Sequence, residues 1–299
     1  MKTVLELGLA AKEAAKTVKT ASTKEKNLAL SCIAEALLKN MDDILKANEQ
    51  DLVTARAAGM SDSMQDRLRL MAVRIEQMAD AVRQLVQMED PIGEVLEGKR
   101  RPNGLLIEKV RVPLGVIGII FEARPNVTVD AATLCLKAGN TVVLRGGKEA
   151  INSNKALVAC MRSAIAKAGL PEDAVCLIED TSRESAGEMM RLRGVLDVLI
   201  PRGGAGLIKA VATQANVPVI WAVPEATAVT VPFATVATLA SELVQEMVHL
   251  LRSTALPATV TVPFRARVLP GLTALAAGER VNTTSEPVPT PVRRYRCMS

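Results

Sequence analysis

Apolar residues recur at helical spacing through the first 90 positions of the chain. The two stripes consist of Leu30, Ile33, Leu37 and Met41, followed by Ile75, Met78, Val82 and Leu85. Residues 22–25 have capping-box spacing just before the first stripe, which marks the start of a helix. The pattern predicts an N-terminal layer of amphipathic helices that packs against a sheet or against itself.

The next segment, residues 94–113, alternates apolar and charged side chains around Pro102, Asn103 and Gly104. Alternation with a period of two is typical of strands, and Asn-Gly is a strong turn signal. We therefore expect a long, exposed β-hairpin that projects from the body. Because a projecting hairpin often meets another subunit, we also expect a homo-oligomer formed through residues 94–113.

From residue 115 onwards, short apolar runs alternate with helical patterns. Strands are predicted at residues 116–121, 141–144, 175–178, 196–200 and 217–220. Helices are predicted between them, at residues 126–137, 152–168, 183–193 and 206–215. Five strands joined by helical crossovers imply an α/β fold with a Rossmann-like, doubly wound parallel sheet. Ligands of such a sheet bind beyond the carboxyl ends of its strands.

Composition narrows the class of protein. The chain has 299 residues, of which 49% are hydrophobic, so it is long enough to bury one or two cores. Its longest apolar run, residues 115–121, is far shorter than the roughly 20 residues that cross a bilayer. Residues 1–21 lack the apolar block of a signal peptide. We therefore expect no membrane insertion and a cytoplasmic location.

Charge and cysteine content exclude further classes. The net charge is +5 but only 2% of the residues are aromatic, and basic residues alternate with acids on the predicted helix faces, so no nucleic-acid partner is expected. The five cysteines are widely spaced, which suits reduced thiols. Because His249 is the only histidine, neither a metal site nor a Ser-His or Cys-His catalytic pair is expected.

The composition changes abruptly near residue 220. Residues 1–220 contain 15 Lys, 11 Asp and 14 Ile, whereas residues 221–299 contain none of these, where about 14 would be expected at the upstream frequencies. The tail is interpreted either as a Pro-rich, partly disordered extension or as an altered, out-of-frame C-terminus. A short helix in it is suggested by the spacing of Leu239, Leu243, Met247 and Leu250.

Loops that follow the predicted strands carry the candidate chemistry. One loop brings Asn126 to the start of a helix, where asparagine is usually a cap. Two further loops contain the candidate ligand-binding residues Arg145, Gly146, Gly147, Lys148, Arg202, Gly203 and Gly204. Glycines permit close approach of the backbone and cations attract phosphate, so a phosphorylated ligand such as a dinucleotide is favoured over solvated turns. Neither loop has a spacing that identifies the nucleotide.

Longer motifs carry a resemblance from about residue 5 to residue 220. They are RVPLGVIG at 111–118, FEARPNVT at 121–128, LRGGKE at 144–149 and IPRGGAGL at 200–207. In these motifs and in their order along the sequence, the chain resembles the gamma-glutamyl phosphate reductases (glutamate-5-semialdehyde dehydrogenases), a family within the aldehyde dehydrogenase superfamily.

The resemblance implies an NADP(H)-binding domain over residues 1–220. The family reduces L-glutamate 5-phosphate to L-glutamate 5-semialdehyde and phosphate, the second step of proline biosynthesis. By resemblance Asn126 is the oxyanion donor, and Arg145 and Lys148 lie near the cofactor ribose, where cations suit the 2′-phosphate of NADP. Gly203 and Gly204 lie against the pyrophosphate and nicotinamide side of the cofactor.

The chain also departs from the family. There, the strand that ends near residue 220 is followed by a segment with the nucleophilic cysteine, but residues 221–299 contain only Cys297, which is not placed to replace it. We therefore expect impaired or absent turnover, because no thiol is placed to form the thioacyl intermediate. The alternatives are a non-catalytic dinucleotide-binding or subunit-interaction module, and a defective product whose sheet is left partly uncovered.

Overall fold

A computed structural model describes residues 2–221 in full and the backbone of residues 222–224 and 264–268. The helix predicted around residues 239–250 lies outside the described residues, as does most of the tail. The chain begins with helices α1 Val4–Val18, α2 Thr23–Lys39, α3 Met41–Ala57, α4 Asp62–Leu68 and α5 Ala72–Gln87. The predicted helical layer is thus confirmed.

The capping box predicted at residues 22–25 begins α2. The hydroxyl of Ser22 accepts a hydrogen bond from the backbone N–H of Glu25, and the Glu25 carboxylate accepts one from the Ser22 N–H at 2.7 Å. Thr3 and Glu6 form the same arrangement at the start of α1. Because these contacts join residues three positions apart, they satisfy the first amides of each helix without any tertiary partner.

Residues 94–113 form the expected hairpin. Strands β1 Val95–Arg100 and β2 Leu106–Val110 pair antiparallel, and the turn between them places Gly104 at φ +87°. Every residue of both strands is exposed in the described chain. The hairpin therefore receives no core packing from the rest of the described chain.

The remaining elements alternate. They are β3 Val116–Phe121, α6 Asn126–Lys137, β4 Thr141–Arg145, α7 Ile151–Lys167, β5 Val175–Leu177, α8 Arg183–Arg191, β6 Val198–Arg202, α9 Ala205–Gln214, β7 Ile220–Pro224 and, after a gap, β8 Phe264–Val268. The central sheet is parallel with strand order β5-β4-β3-β6. A parallel bridge between Leu199 and Val219 places the chain entering β7 beside β6, and β8 pairs antiparallel with β7. The predicted Rossmann-like α/β class is confirmed.

Four of the five predicted strands have different bounds in the structure, and for β5 the difference is one residue, since it ends at Leu177. Strand β6 spans 198–202 and not 196–200, so Arg202 belongs to the strand and only the two glycines form the turn; Arg145 likewise ends β4. The parallel pairing of β6 with β3 continues through Pro201 to Arg202. The last strand spans 220–224 and not 217–220, so it crosses the boundary predicted at residue 220, and that domain boundary stays a prediction.

The central sheet is covered on both faces. Ile117 and Ile119 of β3 face a core shared with α2, α5, α6 and α7, whereas Val116 and Ile120 face a second core shared with α1, α8 and α9. Alternate side chains of one strand therefore enter opposite layers, as a doubly wound sheet requires. No helix in the described part is long and apolar enough to cross a membrane.

Two buried lysines join the helical layer to the chain around it. The ammonium group of Lys26, whose side chain is 2% exposed, lies 2.7 Å from a carboxylate oxygen of Asp90. Lys137 donates to the backbone oxygen of Met88 at 2.7 Å and to the side-chain oxygen of Asn27 at 2.9 Å. These contacts connect α2 and α6 to the chain that leaves α5.

Candidate functional site

The sheet register brings the predicted loops to one edge. In the parallel pairing Ile120 lies opposite Arg145 of β4, and Phe121 lies opposite Arg202 of β6. The loops that follow β3, β4 and β6 therefore begin side by side at the carboxyl edge of the sheet. This is the position where ligands bind in open parallel sheets.

The turn between β6 and α9 contacts a residue that the sequence analysis did not single out. The backbone N–H of Gly204 donates to Oε1 of Glu122 at 3.2 Å. A β-carbon on Gly203 would lie 2.6 Å from the carboxyl carbon of Glu122, so glycine is needed there for the carboxylate to approach the turn. The only sequence signal for Glu122 is its position directly after a fully apolar strand.

Arg145 turns toward the loop after β5. Its Nη2 donates to the backbone oxygens of Thr181 at 2.7 Å and Ser182 at 2.8 Å. Burial lowers the pKa of the Arg145 guanidinium, and the nearby carboxylates of Asp180 and Glu149 partly offset this. The Arg145 side chain therefore holds the loop after β5 against the end of β4. Its predicted contact with a ligand stays a prediction.

Close packing explains the two glycines of the loop after β4. A β-carbon on Gly146 would lie 2.3 Å from Nδ2 of the buried Asn154, and one on Gly147 would lie 2.5 Å from a carboxylate oxygen of Glu149. The loop therefore lies tightly against the start of α7. Lys148, which follows it, is exposed, so its ammonium group is available to a ligand in solution.

Asn126 does not cap α6, contrary to the usual role of asparagine at a helix start. Pro125 occupies the cap position, and Nδ2 of Asn126 donates to Oδ2 of Asp130 at 3.4 Å, one turn further along α6. Burial raises the pKa of Asp130 to about 6, although the charge of Arg202 and the Asn126 hydrogen bond act in the opposite direction. Asp130 thus accepts one N–H of the Asn126 amide, and the second N–H is left for another acceptor.

Burial also lowers the pKa of the Arg202 guanidinium. The charge of Asp130 raises this pKa, and the like charge of Arg124 lowers it. Arg202 therefore interacts electrostatically with both residues.

The cysteines of the described part lie away from this edge. Cys135, Cys160 and Cys176 are buried and free. Burial raises the pKa of Cys135 above the range of ordinary thiols and that of Cys160 and Cys176 to about 11. No group of three metal-ligating side chains occurs in the part of the chain that the structure describes.

We expect these three thiols to resist labelling in the folded protein. At pH 8 a thiol of pKa about 11 is ionised in roughly one molecule in a thousand, and only the thiolate reacts. Labelling with a thiol-specific disulfide reagent, mapped by mass spectrometry, should modify them only after denaturation, while the partly exposed Cys32 reacts first. Native labelling of Cys160 or Cys176 as fast as that of Cys32 would contradict this.

The residues at the edge fit a phosphorylated dinucleotide. The first turn of α9 is exposed, and its amides suit phosphate oxygens. Lys148 supplies an accessible cation, and the Gly203 turn has no side chain to obstruct a ligand. The Glu122 carboxylate opposes a phosphate, because it lies against the same turn and must share or yield the Gly204 N–H.

Comparison with known proteins gives consistent matches. Residues 3–223 match the model of the aldehyde dehydrogenase family. The gamma-glutamyl phosphate reductase of Clostridium botulinum is 60% identical over 213 residues, which are 71% of this chain and 51% of that protein. That of Carboxydothermus hydrogenoformans is 57% identical over 220 residues, which are 74% and 53% of the two chains.

A solved structure agrees with these relatives. The crystal structure of gamma-glutamyl phosphate reductase from Thermotoga maritima matches with a TM-score of 0.72 at 46% identity, over 73% of this chain and 53% of that one. The resemblance inferred from the motifs is confirmed. The chain spans about half the length of the relatives it matches, and the family match ends at residue 223, where the composition changes.

Proposed function

Because the chain belongs to the aldehyde dehydrogenase family, whose enzymes use a nicotinamide dinucleotide, we propose that its described part is the NADPH-binding portion of a gamma-glutamyl phosphate reductase. The proposed reaction converts L-glutamate 5-phosphate, NADPH and a proton into L-glutamate 5-semialdehyde, phosphate and NADP⁺. One observation carries the proposal. The loops after β3, β4 and β6 meet at one edge through the register of Phe121 with Arg202.

Each loop has a task in this reaction. The Gly203–Gly204 turn admits the cofactor pyrophosphate to the start of α9, Gly146 and Gly147 keep the β4 loop close to the sheet, and Lys148 pairs with the 2′-phosphate. When bound, the cofactor supplies the hydride that reduces the acyl carbon. The free N–H of Asn126 donates to the acyl oxygen as negative charge develops on it.

The acyl transfer also needs a thiolate. Cys135, Cys160 and Cys176 do not meet this need, because they are buried with raised pKa values. Cys32 lies on α2, outside the loops that form the site. The proposed reductase chemistry therefore depends on a thiol outside the described residues, and in this chain we propose that turnover is severely impaired. Dinucleotide binding does not depend on that thiol.

A second candidate function is favoured by the hairpin. Its strands expose apolar side chains, among them Val95, Leu96, Leu106, Ile107 and Val110, and exposed apolar surface of this kind marks interaction sites. We propose that residues 94–113 contact a second copy of the chain, and that the chain then acts as a non-catalytic dinucleotide-binding or subunit-interaction module. The free thiols suit a reducing compartment, so we place the protein in the cytoplasm.

Titration of the purified chain with NADPH, followed by nucleotide fluorescence, tests the proposal. Lys148→Ala should weaken NADPH binding about tenfold, because a charge-assisted contact contributes about 1.5 kcal/mol, and should leave NADH binding unchanged. Lys46→Ala, which removes an exposed lysine on α3, controls for net charge. Binding without turnover supports the non-catalytic candidate.

Two results would count against the assignment. If the wild-type chain binds neither nucleotide, the dinucleotide site is wrong. If Lys148→Ala weakens NADH and NADPH equally, Lys148 does not contact the 2′-phosphate, and selectivity for NADPH needs another explanation.

A further inference from the structure

Two arginines on neighbouring segments of this edge have no ion-pair partner among the described residues. Arg202 ends β6 opposite Phe121, and Arg124 lies three residues beyond Phe121 in the next loop. Within the described residues, neither guanidinium forms an ion pair or donates a hydrogen bond. Two adjacent like charges repel each other, so the arrangement favours an anion between them.

Asp130 offsets this charge only in part. Its Oδ2 accepts a hydrogen bond from Nδ2 of Asn126 at 3.4 Å. The carboxyl group also interacts electrostatically with Arg202, but it is not within ion-pair distance of either arginine. The other nearby carboxylate, that of Glu122, is held by the Gly204 amide. Neither carboxylate therefore forms an ion pair with an arginine, and the start of α6 adds the positive end of a helix dipole.

The position of this cluster identifies the anion. In an acyl phosphate, the carbonyl oxygen and the phosphate are attached to the same carbon, so their binding groups must be neighbours. Asn126 and Arg202 are such neighbours, because Arg202 pairs with Phe121 just before the loop that carries Asn126, and Glu122 of that loop contacts the turn after Arg202. We propose that Arg124 and Arg202 bind the phosphate group of the acyl phosphate while Asn126 donates to its carbonyl oxygen.

The assignment changes the role of Arg202 and gives both arginines a chemical task. The loop pattern grouped Arg202 with the dinucleotide site, whereas here it belongs to the acyl side of the edge. When sulfur adds to the acyl carbon, the bond from that carbon to the phosphate oxygen breaks and its electron pair leaves with phosphate. Fixed cations at that oxygen stabilise the developing charge. This task rests on the proposed function, but the anion site itself does not.

Sulfate binding to the full chain, measured by titration calorimetry, tests the site without any turnover. Sulfate is a tetrahedral dianion whose charge stays constant between pH 5 and pH 8. Arg202→Met and Arg124→Met should each weaken sulfate binding about tenfold, since each removes a charge-assisted contact. Arg193→Met is the matched control, because Arg193 is exposed and lies before the amino end of β6.

A second variant tests the cluster without removing a cation. Asp130→Asn should strengthen sulfate binding about threefold at pH 7.5, because it removes one of the two nearby negative charges and leaves Arg124, Arg202 and Glu122. The pKa of Asp130 is about 6, so the wild-type carboxyl is charged above that pH and neutral below it. Wild-type affinity for sulfate should therefore rise as pH falls through 6, and the affinity of Asp130→Asn should not.

Parallel NADPH titrations separate this proposal from the proposed function. Retained NADPH binding by a folded Arg202→Met chain that has lost sulfate supports the anion site. If the wild type ignores NADPH but binds sulfate through the two arginines, the dinucleotide proposal fails and the anion site stands. Sulfate binding that is unchanged in both arginine variants overturns the anion site, as does parallel loss of sulfate and NADPH in Arg202→Met.

Discussion

Replacing Gly115 by alanine is expected to reduce the free energy of unfolding by about 4 kcal/mol. Gly115 lies at φ +120° just before β3, a backbone conformation that L-residues rarely adopt. A β-carbon there would lie 2.1 Å from Oδ2 of Asp197. That same oxygen accepts the N–H of Val116 at 2.8 Å, so the added methyl group both strains the backbone and displaces a hydrogen-bond acceptor.

The consequence extends beyond the one contact. The N–H of Gly115 donates to the side-chain oxygen of Asn140 at 2.9 Å, so two side chains fix the entry of the chain into the central strand. Displacing them shifts β3, whose carboxyl end positions the loop that carries Asn126.

Urea denaturation at pH 7.5 measures this change, and Gly59→Ala provides the matched control. Gly59 also has a positive φ, +71°, but a β-carbon there would meet nothing within 4 Å. Its substitution should cost about 1 kcal/mol of backbone strain alone. Equal losses in the two variants would show that the contact with Asp197 contributes nothing.

Asp51→Ala is expected to cost about 3 kcal/mol of unfolding free energy. The Asp51 side chain, on α3, accepts the backbone N–H groups of Asn152 at 3.1 Å and Ser153 at 2.8 Å. It also accepts the Asn152 amide and the Ser153 hydroxyl. These residues form the first turn of α7, whose amides have no partner within the helix. Because Asp51 and Ser153 are buried, removal of the carboxylate leaves donors that water reaches poorly.

Thermal and urea unfolding with two companion variants test this prediction. Asp51→Asn keeps the shape of the side chain, but its NH₂ group faces the N–H donors of α7 and accepts no hydrogen bond from them. We expect an intermediate loss of about 2 kcal/mol. Asp43→Ala, which breaks a solvent-exposed pair with Lys46, should change stability by less than about 0.5 kcal/mol. A loss for Asp51→Ala no larger than that for Asp43→Ala would mean that the buried carboxylate does not stabilise α7.

The sequence predicted those features whose signals are local. The capping box at residues 22–25, the turn at Gly104 and the alternation of strands with helices each depend on residues a few positions apart. Strand ends were harder to place, because the pairing that carries β6 to Arg202 involves β3, about 80 residues earlier.

The site could be predicted only in outline. The glycines and cations of its loops are visible in the sequence, and the contact of Glu122 with Gly204 joins residues 82 positions apart. Asparagine at a helix start is typical of a cap, and only the structure shows that Pro125, and not Asn126, occupies the cap position of α6. The coupling of Asp130 to Arg202 likewise depends on which strands are neighbours in the sheet.

The buried lysines of the helical layer have a consequence for conformational uniqueness. Apolar faces packed on one another tolerate small slides, since methyl and methylene contacts are interchangeable. The buried ammonium group of Lys26 does not tolerate such a shift, because moving it away from Asp90 leaves an unpaired charge in the protein interior. The pair of Lys26 with Asp90 therefore favours a single alignment of α2 with the chain after α5.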